Sequence, residues 1–522
     1  MPTQPLRPAV VYLRPEDNLA VATRRLNRGE TIRVSDREVT VRDSVGMGHK
    51  VAVSPIRKGD AVRKYGQIIG FASEDIPVGA HIHLHNVSAQ SFERDYAYSS
   101  AVPPSSPRGV ERKFQGYLRP DGRIGTRNYV AVISTVNCSA STSKYICSRI
   151  THDVLRDYPN VDGVLPITHK SGCGLQYDGP DHHQLDRTLA GFARHPNVIG
   201  YIIVGLGCET GQASHLIQSQ KLVQVDGLSS NHGSGNGVAP LTITIQEAGG
   251  IAKTVEAGVR AVAQMLPRAN DVRRVPVPAS KLILGTNCGG SDGNSGVTAN
   301  PALGIASDLV VAQGGTSILG ETTEIYGAEH LLTRRAVSRS VGEKLIERIK
   351  WWEWYTGLFG AEINNNPSPG NKEGGLTTIY EKSLGAIAKG GSTALTAVYL
   401  YAEPVTEKGF VVMDTPGFDP VSMTGIVAGG ANVCVFTTGR GSVYGCKPSP
   451  SIKVATNTPL YERMESDMDI NAGVILDGAP VEQVGREIFE KILSVASGEK
   501  TKSEIAGVGE EEFAPWTIGP TL

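Results

Sequence analysis

Four cysteines lie directly after apolar stretches that are rich in β-branched residues. In the stretches "VAVISTVNCSA", "LPITHKSGCG", "IIVGLGCE" and "LILGTNCGG" these are, in order, Cys138, Cys173, Cys208 and Cys288. A thiolate is both a nucleophile and a ligand for iron or zinc, so the repeated position indicates metal or covalent chemistry. A free cysteine is also a common buried filler, and this alternative stays open for the four. Cys147 and Cys434 fall within a helix and a strand and are assigned to the core.

Acidic and basic residues occupy the same position after other apolar stretches. Glu321 and Glu324 follow "TSILG", and their carboxylates are suited to bind a hard cation or to act as a general acid. Arg440 follows "VCVFTTG" and has the planar guanidinium that binds a carboxylate through two hydrogen bonds. We therefore expect Arg440 to bind an acidic substrate, with Asp292 and Lys447 as further substrate-binding residues.

Two other segments carry groups that suit an anionic ligand. The segment "NNNPSPGNKEGG" (364–375) is so rich in turn-forming residues that a loop is predicted rather than a helix. Asn371 and Lys372 lie there among many backbone donors, which indicates an oxyanion cradle, with a plain surface loop as the alternative. His49 and Lys50, in "GMGHKVAV", lie where a glycine turn enters a strand, and we assign them to the catalytic residues.

The turn "THKSGCG" places His169 and Cys173 four residues apart with small residues between them. Both side chains can then point toward one centre, as two metal ligands or as a ligand and a base, and Cys208 and Cys288 complete the expected ligand set. In the alternative, His169 hydrogen-bonds within its own loop and Cys173 packs inward. The tract "HIHLHN" (81–86) offers three more imidazoles, but alternate spacing on a strand predicts one solvated face.

These residues need elements that bring strand ends together. Residues 114–265 and 281–522 alternate apolar strands with helical segments, which predicts two Rossmann-like α/β domains with mainly parallel sheets. Ligands bind beyond the carboxyl ends of such strands, so one shared cleft is expected. Residues 8–88 contain short apolar runs separated by Gly and Asp turns, which predicts a small β-rich module. The Pro- and Ser-rich residues 89–113 are predicted to be a linker.

Composition argues against several classes of function. Lys and Arg number 51 against 52 Asp and Glu, so no general attraction to nucleic acid or to a membrane surface is expected. The sequence has no run of 18 apolar residues and no secretory signal pattern at its start. Seven cysteines in a long chain suit a reduced, cytoplasmic protein better than a disulfide framework.

Long motifs that follow one another along nearly the whole chain resemble those of the altronate/galactarate dehydratases, bacterial enzymes that remove water from sugar acids. They include "GYLRPDGRIGTRNY", "HKSGCG", "GLGCE", "CGGSDGNSGVTANPA" and "FTTGRGSVYGCKPSPSIK". The resemblance implies that the first module is a β-clip (SAF-like) domain and that the cofactor is Fe(II), with Mn(II) as a substitute. The last motif is more similar to the altronate branch. We also expect a homodimer that acts on a small-molecule sugar acid.

The resemblance implies dehydration of altronate, or of a related aldonate or aldarate, to a 2-keto-3-deoxy acid. Such an elimination needs a metal that stabilises the enediolate, a base at C2 and an acid for the departing C3 hydroxyl. The catalytic groups are sought among His49, Lys50, His169, Glu321 and Glu324. The iron is either mononuclear or part of an iron–sulfur cluster held by Cys173, Cys208 and Cys288.

Other functions remain open at this point. Sulfolactate sulfo-lyases share the same scaffold, so the leaving group is less certain than the elimination. A sugar-acid-binding protein without catalysis would keep Arg440 and Lys372 but would not need thiols and acids on the same rim. An NAD-dependent oxidoreductase would need G-x-G-x-x-G straight after a strand, and "GLGCETG" (205–211) does not have that spacing.

Overall fold

The computed structural model describes residues 8–105, 109–224 and 239–519. Parts of three predicted segments lie outside the described residues: 106–108 of the linker, 225–238 of the central domain and 520–522 of the C-terminal domain. None of the helices in the described part of the chain combines the length and the hydropathy that a membrane span requires.

The N-terminal module consists of nine short strands joined by tight turns. The strands are β1 (Val10–Val11), β2 (Leu19–Ala22), β3 (Thr31–Val34), β4 (Arg37–Thr40), β5 (Lys50–Ala52), β6 (Ala61–Lys64), β7 (Gln67–Ala72), β8 (His81–Ile82) and β9 (Val87–Ser88). They form antiparallel sheets in the orders β1-β2-β5-β8, β3-β4 and β6-β7-β9. Gly79, with a φ of 82°, closes one turn against the Thr40 carbonyl, where any Cβ would collide.

A small antiparallel sheet follows the linker. Its strands are β10 (Lys113–Leu118), β11 (Ile124–Gly125) and β16 (Arg274–Pro278), with β10 in the middle. Residues 266–281, a Pro-bearing stretch between the two predicted α/β domains, contribute a strand to this sheet. That strand is β16, which pairs with β10 and joins the end of the central domain to its beginning.

The central domain has a four-stranded parallel sheet in the order β13-β12-β14-β15. Its strands are β12 (Tyr129–Ser134), β13 (Gly163–Ile167), β14 (Val198–Gly205) and β15 (Thr242–Thr244). The helices are α1 (Asn137–Arg149), α2 (His152–Leu155), α3 (Pro180–Ala193), α4 (Ala213–Gln220), α5 (Ile245–Ala248) and α6 (Ile251–Asn270). Every residue of β14 is buried, as expected for a parallel strand that is covered on both faces.

The C-terminal domain is built on a seven-stranded parallel sheet in the order β19-β20-β18-β17-β21-β22-β23. The strands are β17 (Ile283–Cys288), β18 (Thr316–Leu319), β19 (Leu395–Tyr399), β20 (Gly409–Met413), β21 (Val433–Thr438), β22 (Ser451–Ala455) and β23 (Ile470–Asn471). The helices are α7 (Ala299–Ala312), α8 (Glu329–Thr333), α9 (Arg339–Gly357), α10 (Pro369–Glu373), α11 (Ile379–Ala386), α12 (Asp419–Ala428), α13 (Thr458–Arg463), α14 (Val481–Ala496) and α15 (Lys502–Ile505). The predicted fold class, a small β module followed by two α/β domains with parallel sheets, is confirmed.

The segment 364–375 differs from its prediction as a loop, because it contains the short helix α10. Ser368 Oγ accepts a hydrogen bond from the Asn371 N–H, and Asn371 Oδ1 accepts one from the Ser368 N–H, which forms a capping box. Pro369 occupies the first turn, where its fixed φ favours helix and its missing N–H costs nothing. These local effects outweigh the turn-forming composition of the segment.

The three parts of the chain share hydrophobic cores. In one core, Ile69 and Ile76 of the module pack with Leu384 and Ile387, which lie in and after α11. In another, residues of α3 pack with residues of α12. Burying each aliphatic side chain of this size contributes ~1.5–3 kcal/mol. The module and the central domain are therefore packed against the C-terminal domain rather than merely tethered to it.

Candidate active site

Two adjacent strands of the C-terminal sheet end at a group of buried ionisable side chains. The strand β17 ends at Cys288, and its neighbour β18 leads to Glu321 and Glu324. Glu321 has a φ of 62°, a left-handed conformation that costs ~1–3 kcal/mol for a residue with a Cβ. Its N–H donates to the Thr415 hydroxyl at 2.6 Å, which holds it in place. Donor atoms of Cys288, Glu321 and Glu324 lie within 4.8 Å of one another.

Two lysines pack against these three side chains. Lys382 lies in α11, and Lys389 lies in the 3-10 segment that follows it. The Lys389 Nζ is 2.6 Å from Glu321 Oε2 and 2.9 Å from Cys288 Sγ. The Lys382 Nζ is 2.7 Å from Glu324 Oε1. We call these five buried residues the acid–lysine cluster, in which two cations face two carboxylates and a thiol away from water.

Asp419, the first residue of α12, lies beside the acid–lysine cluster. Asn287 Nδ2 donates to its Oδ1 at 3.0 Å, and Gly289 lies so close to the carboxylate that a Cβ would collide. Burial, together with the nearby Glu324, raises the pKa of Asp419 to about 6. Burial and Glu324 also raise the pKa of Glu321 to about 7, although Lys389 opposes the shift. Both carboxyl groups therefore titrate near neutral pH, as groups that transfer protons must.

The thiol and the two lysines of the cluster keep their protons. Burial raises the pKa of the Cys288 thiol to about 11. Burial lowers the pKa of Lys389, but its neighbours Cys288 and Glu321 outweigh this effect and raise the pKa above its ordinary value. The same balance between burial and Glu324 raises the pKa of Lys382. Both lysines are therefore cations at neutral pH.

The donor set of the cluster fits a divalent metal ion. Carboxylate oxygens with one thiolate suit iron(II), which accepts both kinds of ligand. Glu321 Oε1 is buried and has no hydrogen-bond partner among the described residues. A buried oxygen without a partner costs free energy, and a bound cation would recover it. Metal binding would also remove the proton from the Cys288 thiol.

Arg440 lies on the next strand end, at the loop after β21. The backbone N–H of Arg440 donates to the Gly290 carbonyl at 2.7 Å, so a hydrogen bond joins the loops that follow β17 and β21. The guanidinium is about half exposed and lies 3.3 Å from Glu373 Oε2. An exposed pair of this kind is worth ~0–1 kcal/mol, so a substrate carboxylate can replace Glu373 at little cost. Lys372 lies one residue before Glu373 in α10 and is partly exposed.

Three other predicted substrate-binding residues make contacts that hold loops. The buried Asp292 carboxylate accepts hydrogen bonds from four side chains of its own and neighbouring loops. Asn371 caps α10 and donates through Nδ2 to the Ser291 carbonyl at 2.9 Å. Lys447 Nζ pairs with Glu510 Oε1 at 2.7 Å. These contacts give each residue a structural role, and substrate binding by them stays a prediction.

His49 and Lys50 lie where the module meets the C-terminal domain, but they face different surroundings. His49 Nε2 is 3.1 Å from the Glu373 carbonyl oxygen, so the ring reaches the loop that also contacts Arg440. Lys50 is fully buried, and its Nζ lies 2.9 Å from Glu381 Oε2. Burial lowers the pKa of Lys50 to about 8. Lys50 therefore belongs to a buried ion pair between the two domains, whereas His49 contacts the end of α10 beside Arg440.

His169 holds its own loop together. Its Nε2 donates to the Ser134 carbonyl at 3.0 Å, and its Nδ1 accepts from the Ser171 N–H at 3.2 Å. Burial lowers the pKa of this imidazole to about 4, so it is neutral. A metal bound to either nitrogen would have to break one of these bonds. The arrangement matches the loop-holding alternative for His169, although Cys173 is exposed rather than packed inward.

The four cysteines that follow strands are divided between two sheets. Those after β12, β13 and β14 are exposed on the central domain, and they are Cys138, Cys173 and Cys208. Cys288 is buried at the edge of the C-terminal sheet. Among the described residues, no group of three donor atoms within 4.8 Å of one another includes His169, Cys173 or Cys208. Of the four predicted metal ligands, the structure groups Cys288 alone with two carboxylates.

Sequence reasoning missed three residues of this site. Lys382 and Lys389 are seven residues apart in "EKSLGAIAKGG", a spacing that returns to the same helical face after two turns. This spacing could have identified the two lysines from the sequence. Asp419 precedes a proline at the start of α12, and its sequence context did not distinguish it from an ordinary helix start.

The histidines of the tract 81–86 also differ from their prediction. The strand β8 ends at Ile82, and the chain then turns, so the tract does not form one solvated strand face. His81 and His83 are half-buried beside His49, while His85 is exposed. Burial, aided by neighbouring positive charge, lowers the pKa of His81 to about 4 and that of His83 to about 3.

Three family models match consecutive parts of the chain. The SAF domain of altronate/galactarate dehydratases matches residues 8–90, and the second domain of D-galactarate dehydratase/altronate hydrolase matches 116–270. The C-terminal domain of D-galactarate/altronate dehydratase matches 279–521.

Characterised relatives match over most of the chain. An altronate dehydratase of Bacillus subtilis is 34% identical over 514 residues, 98% of this chain and 99% of the relative. A galactarate dehydratase (L-threo-forming) of Escherichia coli is 37% identical over 462 residues, 88% and 87% of the two chains. The beta subunit of a (2R)-sulfolactate sulfo-lyase from Chromohalobacter salexigens is less similar, 31% identical over 409 residues, 77% and 96% of the two chains. With three consecutive domain matches and these identities, the chain belongs to the D-galactarate/altronate dehydratase family of hydro-lyases.

Proposed function

We propose that this protein removes water from a sugar acid, altronate or a related aldonate or aldarate, and releases the 2-keto-3-deoxy acid. The observation that carries the proposal is the acid–lysine cluster, a buried group of thiol, carboxylates and lysines at the strand ends. Asp419 beside it titrates near neutral pH, and elimination of water needs such a group for proton transfer. Membership of the family and the similarity to an altronate dehydratase and a galactarate dehydratase support the same reaction.

Arg440 binds the substrate carboxylate, and Lys372 adds a second positive charge nearby. The guanidinium exchanges its exposed contact with Glu373 for a bidentate contact with the substrate. The turn after Cys288 contacts Arg440 on one side and Asp419 on the other. A sugar acid held by Arg440 therefore extends along this turn toward the acid–lysine cluster.

Asp419 takes the proton from C2, and Lys382 protonates the departing C3 hydroxyl. A pKa of about 6 leaves Asp419 mostly ionised at neutral pH, and Asn287 orients it. The Lys382 ammonium is a weak acid, but hydroxide is a much stronger base, since water has a pKa of about 15.7. One proton leaves C2 for Asp419, and the hydroxyl leaves C3 with a proton from Lys382 as water. The resulting enol then becomes the 2-keto-3-deoxy acid.

Iron(II) is the proposed cofactor, and Mn(II) is a substitute. Cys288, Glu321 and Glu324 would hold it, since their donor atoms already lie within 4.8 Å of one another. When bound, the ion supplies a Lewis acid for the negative charge that develops on the substrate carboxylate. The mixed thiol and carboxylate surroundings of Cys288 favour mononuclear iron over an iron–sulfur cluster with Cys173 and Cys208.

The proposal is tested on protein purified without oxygen and loaded with Fe(II). Altronate, galactarate and other C5 and C6 sugar acids are screened for a 2-keto-3-deoxy product, and (2R)-sulfolactate is included with sulfite as its product. Asp419→Asn should lower turnover by ~10²–10⁴-fold, since general base catalysis is worth about that much. The exposed Cys138→Ser serves as a control that should keep full activity.

Three results would overturn parts of this assignment. Sulfite release without any keto-acid product would make the protein a sulfo-lyase. Acid-labile sulfide in proportion to iron would show a cluster instead of a mononuclear ion. Normal turnover in Asp419→Asn would remove that residue from the reaction.

We also propose a cytoplasmic location and an oligomeric state for the enzyme. All seven cysteines are free, which suits the reducing cytoplasm. We propose a homodimer as the working form, and sedimentation of the full chain measures it directly.

A further inference from the structure

Strand pairing in the module brings three histidines together. In the ladder between β5 and β8, Lys50 pairs with Ile82 and Val51 pairs with His81. His49 directly precedes β5, and His83 directly follows β8. The three imidazole rings lie together, with centroids 5.1 Å apart for His49 and His81 and 5.0 Å apart for His49 and His83. The pairing of β5 with β8 therefore brings the chain segments that carry the three histidines side by side.

The distances within this histidine cluster suit one bound ion. His49 Nδ1 lies 3.1 Å from His81 Nε2. Two nitrogens that bind one metal at ~2.0–2.1 Å lie about 2.8–3.4 Å apart, for ligand angles between octahedral and tetrahedral values. The His83 ring centroid lies 5.0 Å from that of His49 and 5.3 Å from that of His81. Donor nitrogens of all three rings lie within 4.8 Å of one another.

The hydrogen bonds around the cluster set the tautomer that a ligand needs. The acceptor of His49 Nε2 is the Glu373 carbonyl oxygen at 3.1 Å, so Nε2 carries the proton and Nδ1 keeps its lone pair. Metal-binding histidines typically donate a hydrogen bond from the ring nitrogen that does not bind the metal to a backbone carbonyl, as His49 does here. His83 Nδ1 is a buried nitrogen with no hydrogen-bond partner among the described residues.

The backbone that presents the rings is held on both sides. Asn86 is buried, accepts from the His83 N–H at 2.9 Å, and donates to the His81 carbonyl at 3.0 Å. His81 also lines an open surface cleft of ≈ 560 Å³, which gives an ion a path to the site.

We propose that His49, His81 and His83 form a binding site for a divalent transition-metal ion such as Zn²⁺ or Co²⁺. Three imidazoles are a donor set that suits such ions, whereas Mg²⁺ and Ca²⁺ prefer oxygen ligands. The rings are only half-buried, so further coordination positions stay open to water or an oxygen ligand. The site is separate from Cys288, Glu321 and Glu324, and it does not depend on the dehydration proposed above.

A second group of donors does not support the same inference. His182, Asp186 and His215 also offer atoms within 4.8 Å of one another. However, His182 Nδ1 accepts the Asp178 N–H at 3.1 Å, so its Nε2 must carry the proton in the neutral ring. His182 Nε2 therefore has no lone pair for a metal unless the hydrogen bond from the Asp178 N–H is broken.

The test uses the full chain after metal removal by a chelator and dialysis. Zn²⁺ binding is measured by calorimetry and by metal analysis, and Co²⁺ binding by its visible absorption. His83→Ala should lose one equivalent of tightly bound ion, with affinity at that site weakened more than about 100-fold, since even second-shell changes cost 10–100-fold. His83→Gln, closer in size, should show the same loss.

The controls separate this site from others on the chain. The exposed His152→Ala should bind as the wild type does, and Glu321→Gln should keep the histidine-bound equivalent whatever happens at the acid–lysine cluster. Thermal unfolding in the presence of chelator checks that His83→Ala is folded. If His81→Ala and His83→Gln, both folded, bind Zn²⁺ and Co²⁺ like the wild type, the three histidines only hydrogen-bond to each other and the inference is wrong.

Discussion

The Glu381 carboxylate is the central charge between the module and the C-terminal domain, and Glu381→Gln should strongly destabilise their docking. Lys50 Nζ and Lys64 Nζ each lie 2.9 Å from one of its oxygens, and all three side chains are fully buried. Removing the acid leaves two lysines without a counter-charge in a place that excludes water. Breaking a buried pair in this way typically costs ~3–5 kcal/mol.

The loss of stability caused by Glu381→Gln should depend on pH in a defined direction. Burial already lowers the pKa of Lys50 to about 8, and without Glu381 this pKa falls further. Unfolded Lys50 keeps its ordinary, higher pKa, so the unfolded variant binds more protons than the folded one and the variant gains stability as pH rises. The wild type has no such gain from Lys50 below about pH 8. The penalty of Glu381→Gln should therefore be larger at pH 6 than at pH 8.

Hydrogen exchange of β5 and α11, measured with urea titration, reports this docking without assuming two-state unfolding of the whole chain. The matched control is Glu343→Gln, whose partner Arg339 is mostly exposed, and it should cost less than ~1 kcal/mol. The loss of stability in Lys64→Met should lie between those of Glu381→Gln and Glu343→Gln, because Lys50 still pairs with Glu381. If Glu381→Gln loses no more than Glu343→Gln, the buried triad does not stabilise the interface.

Three further changes test other parts of the structure. With Asp419 as the base, kcat/KM should fall as pH drops through about 6, since the protonated carboxyl cannot accept the C2 proton, and a flat profile from pH 5 to 8 would contradict this role. Arg440→Lys keeps the charge but loses the planar fork, so KM for the sugar acid should rise ~10-fold or more, and an unchanged KM would rule out the clamp. His169→Ala should lower thermal stability, by ~1–3 kcal/mol for the two lost backbone contacts, but leave bound iron unchanged, and metal analysis would show the reverse if this ring were a ligand.

The strand ends of the C-terminal domain could be predicted from the sequence. Runs such as "KLILGTNC" and "TSILGE" are apolar, β-branched and short, and a parallel sheet sends all its carboxyl ends to one edge. These two facts were enough to expect Cys288, Glu321 and Arg440 on one rim. The same runs placed Cys173 and Cys208 in the central domain, but they could not show that these thiols lie apart from Cys288, because the positions of strands along the chain do not reveal how two sheets pack against each other.

The remaining parts of the site depend on contacts between distant residues. Lys389 meets Cys288, 101 residues earlier in the chain, because the segment after α11 packs against the ends of β17 and β18. His49 meets His81 only because β5 pairs with β8. His169 was predicted as a ligand because its loop offered room for two side chains, and the sequence could not show that backbone groups already engage both nitrogens.

The buried triad of Lys50, Lys64 and Glu381 also bears on how the protein assembles. An undocked module carries two exposed cations toward a partner surface with one carboxylate, so their encounter is attractive before any apolar contact forms. The linker keeps the module at a high effective concentration, so docking occurs within one molecule and does not depend on protein concentration. The loop contact between His49 and Glu373 exists only after that step. Undocking of the module would therefore take His49 away from Glu373, the residue that also contacts Arg440.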